Sequence, residues 1–215
     1  MAPNVPERYA EPIQLFKVGL GPFTRKISST NKEAQAFFDQ GMQMEFAFDK
    51  VDAVRSFRES WKRDPDCAIC YWGEAWAWGS YLNAPMSAEE SPLAYAAAQK
   101  AMSLREKHAS PVERALIEAI AKRYVKDFDP QKRVEQDRAY AEAMKPVADK
   151  FPNDLDVVTF YADALFLLEP RRGTRDVNDP NVQRLHKVLE GILAKDIKHP
   201  GACHLYVHAT ESTVV

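Results

Sequence analysis

The stretch AQAFFDQGMQMEFAFDKVDAVRSFRESWKRDPDC, residues 34–67, decides the fold of this chain. It holds two segments with helical periodicity, joined by a turn at Asp49-Lys50. Gly41 and Ala53 lack bulk where the two segments would cross, so two antiparallel helices can approach closely there. Larger apolar side chains surround that crossing, namely Phe37, Met44 and Phe57. The stretch therefore predicts a helical hairpin.

The spacing of these small and large residues matches the tetratricopeptide pattern, a repeat of about 34 residues built from two antiparallel helices. Helices are expected over residues 32–47 and 51–63, and Pro65 ends the second. One such hairpin cannot bury its own apolar faces and needs neighbours stacked on it. The sequence predicts an all-α fold of tandem antiparallel helical hairpins, a TPR-like α-solenoid with about nine helices and right-handed superhelical stacking.

The hairpins are expected to form one domain. Residues 1–30 hold four prolines and few periodic apolar positions, which predicts an extended lead-in. Residues 31–215 are expected to form a single helical-repeat domain that ends within a fifth repeat.

Short local signals predict several helix ends. Thr30 or Asn31 is placed to cap the first helix. Ser110 and Glu113 have the spacing of a capping box, which predicts a second helix start. Pro146 lies inside a segment with helical periodicity and predicts a kink or a break there.

Composition and charge argue against a nucleic-acid partner and against a membrane-spanning helix. The net charge is −2, the isoelectric point is near 6.2, and charges of both signs are interleaved along the chain. A nucleic-acid surface usually needs a basic face, so nucleic acid is not expected as a partner. No apolar run reaches the length of about 18 residues that a membrane-spanning helix requires, so no membrane span is expected.

The N-terminal residues and the cysteines do not decide the cellular compartment of the protein. The N-terminus lacks the apolar core of a signal peptide, so the protein is expected to be cytoplasmic if this N-terminus is native, and periplasmic or secreted if a signal peptide was removed. Three cysteines, an odd number, do not make a disulfide framework. Cys67 and Cys70 have metal or redox spacing, but no second cysteine pair or nearby histidine completes a zinc site. They are therefore expected to pack in the core as two small apolar side chains.

A set of motifs recurs along the chain in an order that points to a known group of proteins. The motifs are Ile27-Ser28-Ser29-Thr30, Glu33-Ala34-Gln35, Phe38-Asp39-Gln40-Gly41, DPDCAICYWGEA (64–75) and HPGACHLYVHATES (199–212). On these motifs the chain resembles the N-terminal half of a group of bacterial tetratricopeptide-repeat proteins, many of them exported. That family usually has Asn-His where this chain has Asp49-Lys50, and it continues into another His-rich segment. The resemblance implies the fold and leaves the function open.

Aromatic residues at helical spacing suggest a binding surface. In the repeat pattern the first helix of each hairpin lines the concave face, and its outward positions are Phe38, Met42, Trp72 and Trp76. Aromatic side chains are enriched at binding hot spots, so these four are candidates for a groove that binds a protein or peptide segment. The alternative is that the same stripe forms the core between stacked hairpins.

Histidines in the last helix suggest a metal site. His204, His208 and Glu211 lie at i, i+4 and i+7, on one face of a helix, and His199 at the helix start is a fourth candidate. Two imidazoles one turn apart and a carboxylate one turn on suit a divalent transition metal such as Zn, Cu, Fe or Ni. The alternative is that these are polar groups hydrogen-bonded to neighbouring repeats.

The last helix also presents an apolar stripe with no expected partner helix, formed by Ala202, Leu205, Tyr206 and Ala209. An exposed stripe of this kind predicts a homodimer or larger assembly through the C-terminal helix. No phosphate-binding loop or nucleophile elbow is found. The sequence thus predicts a scaffold that binds a protein or peptide through its concave face, with no catalytic residues assigned. The alternative is a metal-binding protein or metal-dependent enzyme built on the last helix.

Overall fold

A computed structural model describes residues 4–169 and 174–214 of the chain. In this part of the chain the helices are α1 (Glu7–Ala10), α2 (Lys32–Phe46), α3 (Lys50–Arg63), α4 (Ala68–Trp78), α5 (Ser91–His108), α6 (Pro111–Ile120), α7 (Arg133–Lys150), α8 (Leu155–Phe166), α9 (Pro180–Leu193) and α10 (Pro200–Thr210). A 3-10 turn at Pro130–Lys132 precedes α7. Strands β1 (Arg175–Asp176) and β2 (Thr213–Val214) form a parallel pair, which is too short for a sequence pattern to reveal. The all-α prediction is confirmed, with α1 as an additional short helix in the lead-in.

The helix ends follow the local signals closely. The Asn31 side chain accepts hydrogen bonds from the backbone N–H groups of Glu33 and Ala34, so Asn31 is the cap of α2. Ser110 and Glu113 form the predicted capping box at the start of α6. Pro146 lies inside α7, which continues from Arg133 to Lys150 without the predicted break. Packing of α7 against both α6 and α8 compensates for the one backbone hydrogen bond that a proline removes.

The helices from α2 to α10 pack in sequence, each against the next. The first helices of successive pairs also contact one another, as α2 does with α4, α4 with α6, and α8 with α10. Helix α10 returns to contact α2. Gly201 makes this return possible, because a Cβ there would lie 2.5 Å from Cε1 of Phe46.

The predicted close crossing of α2 and α3 is present, and α4 takes part in it. The ring of Phe57 is fully buried between Gly41 of α2 and Gly73 of α4. A Cβ at Gly41 would lie 2.8 Å from that ring, and one at Gly73 only 2.3 Å from it. Both glycines are thus required by the approach of the neighbouring helix.

The four residues predicted to line a concave groove lie in the core instead. Phe38, Met42 and Trp72 are fully buried, and Trp76 is 4% exposed. Trp72 and Trp76 pack on Phe160 of α8, with ring centroids 4.9 Å and 5.0 Å away. These four side chains therefore do not line an open groove, and the alternative, that the stripe forms core, is the one that the burial matches.

The lead-in is packed more closely than an extended segment implies. Tyr9 of α1, Ile13, Arg25 and Ile27 are all buried. These residues attach the lead-in to the helical body, and we call residues 4–30 the strap. The strap covers apolar surface of the core.

The apolar stripe of α10 is covered within the chain. Ala202 and Ala209 are fully buried, Leu205 is 5% exposed, and they pack with α8 and α9 in a second core cluster. The hydroxyl of Tyr206 donates to Glu190 Oε1 at 2.9 Å. The exposed stripe from which self-association was predicted is therefore absent in the described part of the chain.

Cys67 and Cys70 form a disulfide, whereas the sequence analysis expected two unlinked core side chains. The spacing brings them together because Cys67 is the N-cap of α4 and Cys70 lies in its first turn. Both are buried, in agreement with the expected core position. Among residues 4–169 and 174–214, no helix combines the length and apolar character needed to cross a membrane.

Candidate functional site

The turn between α2 and α3 is the most unusual backbone position in the described chain. Phe48 has φ of 61°, a left-handed conformation that is costly for a bulky residue. Its ring is held by three others, at centroid distances of 5.4 Å to Tyr81, 4.2 Å to His204 and 5.5 Å to His208. Tertiary contacts of this aromatic group thus maintain a conformation that the local sequence disfavours.

An open cleft of about 590 Å³ lies beside this turn, and we call it the Phe48 cleft. Its wall comes from α1, the α2–α3 turn and the loop after α4, through Arg8, Tyr9, Ala47, Phe48, Asp49, Lys50, Val51, Tyr81, Ala84, Pro85, Ser87 and Glu90. Its volume is in the range of small-molecule and side-chain binding sites, about 300–1,000 Å³. The lining includes three aromatic side chains, one buried charged pair, and the exposed Arg8 and Asp49, whose charges are opposite.

Lys50 and Glu90 form the charged pair of the cleft, with Nζ 3.0 Å from Oε1. Lys50 also donates to the carbonyl oxygens of Trp78 and Gly79, at 3.0 Å and 3.2 Å. Burial lowers the pKa of Lys50 despite the attraction of Glu90. Burial acts to raise the pKa of Glu90, but the Ser87 N–H and Lys50 together hold it below its usual value. The floor of the cleft is therefore a satisfied ion pair with little net charge.

Tyr9 closes the other side of this pair. Its hydroxyl donates to Glu90 Oε1 at 3.1 Å, and its ring packs edge-on against Trp78 with centroids 4.5 Å apart. Burial and the neighbouring Glu90 carboxylate raise the pKa of Tyr9 to about 12. The tyrosine therefore stays a neutral hydrogen-bond donor at physiological pH and fixes α1 over the cleft.

Two of the predicted metal ligands meet at the rim of this region. Nε2 of His208 lies 2.9 Å from Nε2 of His204. Nδ1 of His204 lies 2.5 Å from the carbonyl oxygen of Phe46, and Nδ1 of His208 lies 2.5 Å from Glu211 Oε1. A carbonyl or carboxylate oxygen accepts, so both Nδ1 atoms donate. When both rings are neutral, the two Nε2 lone pairs then face each other.

The other two predicted ligands have different roles. Glu211 contacts Nδ1 of His208, so it orients the ring and is not directed at the same point as the two Nε2 atoms. His199 is buried and caps α10, where Nδ1 accepts from the Ala202 N–H and Nε2 lies 3.1 Å from Asp156 Oδ1. Within the described residues, no group of three or more His, Cys, Asp or Glu side chains is arranged to hold a metal ion. The predicted four-residue set is thus reduced to a histidine pair.

Phe48 and Tyr81 also line a narrow inner cavity. Its volume is about 10 Å³, which is roughly room for one water molecule. Glu45 and Asp163 both line it, and Trp76 Nε1 donates to Asp163 Oδ2 at 3.2 Å. Burial and the nearby Asp163 raise the pKa of Glu45 to about 7, and burial also raises the pKa of Asp163. Two carboxyl groups thus share a space too small for a substrate.

The raised pKa of Glu45 makes stability depend on pH. Between about pH 4.5 and 7 the folded chain binds more protons at Glu45 than the unfolded chain does, so stability should fall as pH rises through this window. Glu45→Gln should remove most of that fall and stabilise the protein at pH 8 by roughly 1–3 kcal/mol relative to the wild type. Urea unfolding at pH 5, 6, 7 and 8 measures the effect. Glu89→Gln, at an exposed position, is the control, and equal pH profiles for all three proteins would contradict the assignment.

The sequence analysis identified the histidines but none of Glu45, Phe48, Tyr81 or Glu90. Comparison with protein-family models, with curated proteins and with solved structures found no match to this chain. The Phe48 cleft and the histidine pair are therefore the features from which a function can be inferred.

Proposed function

We propose that this chain is a helical-repeat scaffold of the tetratricopeptide type that binds a peptide segment of a protein partner in the Phe48 cleft. The sequential packing of α2 to α10 and the alternating contacts of the inner helices support tandem antiparallel hairpins with superhelical stacking. The observation that carries the function is that the inner face is filled, while the Phe48 cleft is open and lined with aromatic side chains.

The lining selects the chemistry of the segment. Phe48 and Tyr81 offer apolar ring surface, which suits an aromatic or aliphatic anchor side chain. Lys50 and Glu90 already satisfy each other, so a charged anchor would have to break a buried pair. The expected ligand is a peptide with one or two apolar anchor residues and little charge between them.

A displayed peptide library selected on the untagged protein tests this function. Selected peptides should bind the wild type, and Ala84→Trp should weaken them at least tenfold, because Ala84 lines the cleft and a larger side chain fills it. Ala88→Trp is the matched control, since Ala88 is exposed on the same loop and does not line the cleft. Selected peptides that bind both variants as well as the wild type would show that the cleft is not the binding site.

A second function, metal binding, is favoured by the histidine pair. Two unprotonated Nε2 atoms 2.9 Å apart repel each other unless a proton or a metal ion lies between them. Each Nδ1 donates to an oxygen, which is the outer contact that metal-bound histidines usually have. A tetrahedral Zn²⁺ ion with Zn–N bonds of about 2.0–2.1 Å holds two nitrogens about 3.3–3.4 Å apart, so a small movement of one ring would admit it. We propose a transition-metal site with His204 and His208 as ligands and open positions for water.

Calorimetric titration of untagged protein with Zn²⁺ and Cu²⁺ tests this site. His204→Ala or His208→Ala should abolish stoichiometric binding. Glu211→Gln should weaken binding by roughly 10–100-fold without abolishing it, because Glu211 acts through His208. His186→Ala is the control, since His186 contacts the carbonyl oxygen of Ala209 and not the pair. Binding that survives both alanine variants, or no binding to the wild type, would exclude the site.

A further inference from the structure

The Cys67–Cys70 disulfide borders a second cleft that shares no lining residue with the Phe48 cleft. This cleft has a volume of about 490 Å³ and lies between the strap, the start of α4 and the end of α5. Cys67, Ser29, Asp64 and the pair Lys107-His108 are among its lining residues. An incoming side chain of moderate size therefore has space next to the disulfide.

The two sulfur atoms are in different surroundings. Cys67 is the N-cap of α4 and lines the cleft, whereas Cys70 is fully buried one turn further on. Ser60 Oγ lies 3.0 Å from Cys70 Sγ and is itself buried behind it. An incoming thiolate can thus approach Cys67 from the cleft, and Cys70 is the leaving sulfur.

Basic and acidic groups both line the cleft beside the pair. The N-terminus of α4 carries partial positive charge, and Lys107 and His108 bring basic groups to the same cleft. Asp64 and Asp66 line the same cleft and oppose them. Asp64 accepts hydrogen bonds at Oδ2 from Ser29 Oγ, at 2.5 Å, and at Oδ1 from the Asp66 N–H, at 3.2 Å. Cys-X-X-Cys at a helix N-terminus is the arrangement in which cysteine pKa values are commonly lowered.

We propose that Cys67–Cys70 is a thiol–disulfide exchange site whose substrate is a peptide or protein dithiol. A substrate thiolate attacks Cys67 Sγ, a mixed disulfide forms, and the Cys67–Cys70 bond breaks with its electron pair on Cys70 Sγ. The second substrate thiolate then attacks the substrate sulfur of the mixed disulfide and releases Cys67 as thiolate. The substrate is oxidised by two electrons and the protein disulfide is reduced by two, with two thiol protons passing to solvent or to the cysteines. This site is independent of the peptide-binding function proposed above.

The test uses Cys203→Ala as background, since Cys203 is the remaining free cysteine in the described chain. In this background Cys70→Ser leaves Cys67 as the single free thiol, and Cys67→Ser leaves Cys70 as the single free thiol. With glutathione disulfide, the Cys67 thiol should form a mixed disulfide at least tenfold faster than the Cys70 thiol, as followed by intact mass. Lys107→Gln should slow the Cys67 reaction severalfold. Equal rates at the two cysteines, or none at Cys67, would overturn the proposal.

A second measurement keeps the proposal testable if either serine variant fails to fold. The Cys203→Ala protein with its disulfide intact is mixed with a synthetic dithiol peptide under native conditions. One equivalent of peptide should be oxidised while the helical circular dichroism is retained. Oxidation only in denaturant, or no oxidation, would instead identify the disulfide as a purely structural link.

Discussion

Gly73→Ala should lower the free energy of unfolding by about 1–3 kcal/mol, although alanine is a better helix former than glycine. The added Cβ would lie 2.3 Å from Cδ1 and 2.5 Å from Cε1 of Phe57. The Phe57 ring is fully buried and also lies against the Gly41 position, so it has little space to move into. Overpacking at α4 should therefore exceed the gain of roughly 0.5–1 kcal/mol expected from helix propensity. Urea unfolding at constant pH measures the difference.

Gly191→Ala is the matched control for this substitution. Gly191 also lies inside a helix, α9, but a Cβ there meets no atom within 4 Å. This variant should gain about 0.4–1 kcal/mol through the unfolded state. Gly41→Leu and Ala53→Leu should destabilise the same crossing by about 1–3 kcal/mol or more. A Gly73→Ala protein as stable as the Gly191→Ala protein would show that α3 and α4 do not meet at Phe57.

The features that the sequence predicted well are those decided by nearby residues. Asn31 and Ser110 cap their helices because a cap needs only the next three backbone N–H groups. Gly41 marked the crossing of α2 and α3 because the two helices are joined by a short turn and must meet. In both cases the physical cause lies within one hairpin.

The contact of α10 with α2 could not be predicted in the same way. Gly201 lies against Phe46 and joins the two helices, but these residues are far apart in the sequence and no local pattern relates them. The sequence left Trp72 and Trp76 as either groove or core residues, because the spacing within one hairpin does not show which helices pack on it.

In the candidate site, too, contacts between nearby residues could be predicted and contacts between distant residues could not. The i, i+4 spacing of His204 and His208 placed them together on one helix face, and the structure brings their Nε2 atoms to 2.9 Å. The carbonyl of Phe46 that orients His204 lies 158 residues away in the sequence, so spacing could not identify it. Phe48 carried no signal either, because the rings that hold its left-handed backbone, Tyr81 and His204, come from distant parts of the chain.

The second large effect on stability is expected at Arg25, which lies in the strap. Its guanidinium binds Asp154 at 2.7 Å and 3.0 Å and Asp156 at 2.9 Å. Asp154 is the N-cap of α8, and Asp156 also contacts the His199 ring at the start of α10. Burial opposes the charge of Arg25, but the two carboxylates raise its pKa above the usual value. A single buried cation thus links the strap to the starts of two helices.

Arg25→Met should lower the free energy of unfolding by about 3 kcal/mol, because it leaves two neighbouring carboxylates without their shared cation. Arg25→Lys should lose less, since it keeps the charge but not the forked contact to Asp154. Lys26→Ala is the control, because Lys26 is exposed and an exposed change should stay within about 0.5 kcal/mol. Hydrogen exchange adds a local measurement: the first turn of α8 should lose protection in Arg25→Met before the end of α9 does. Uniform loss of protection across α2 to α10 would mean that the strap stabilises the whole body, and wild-type stability would mean that the clamp is absent.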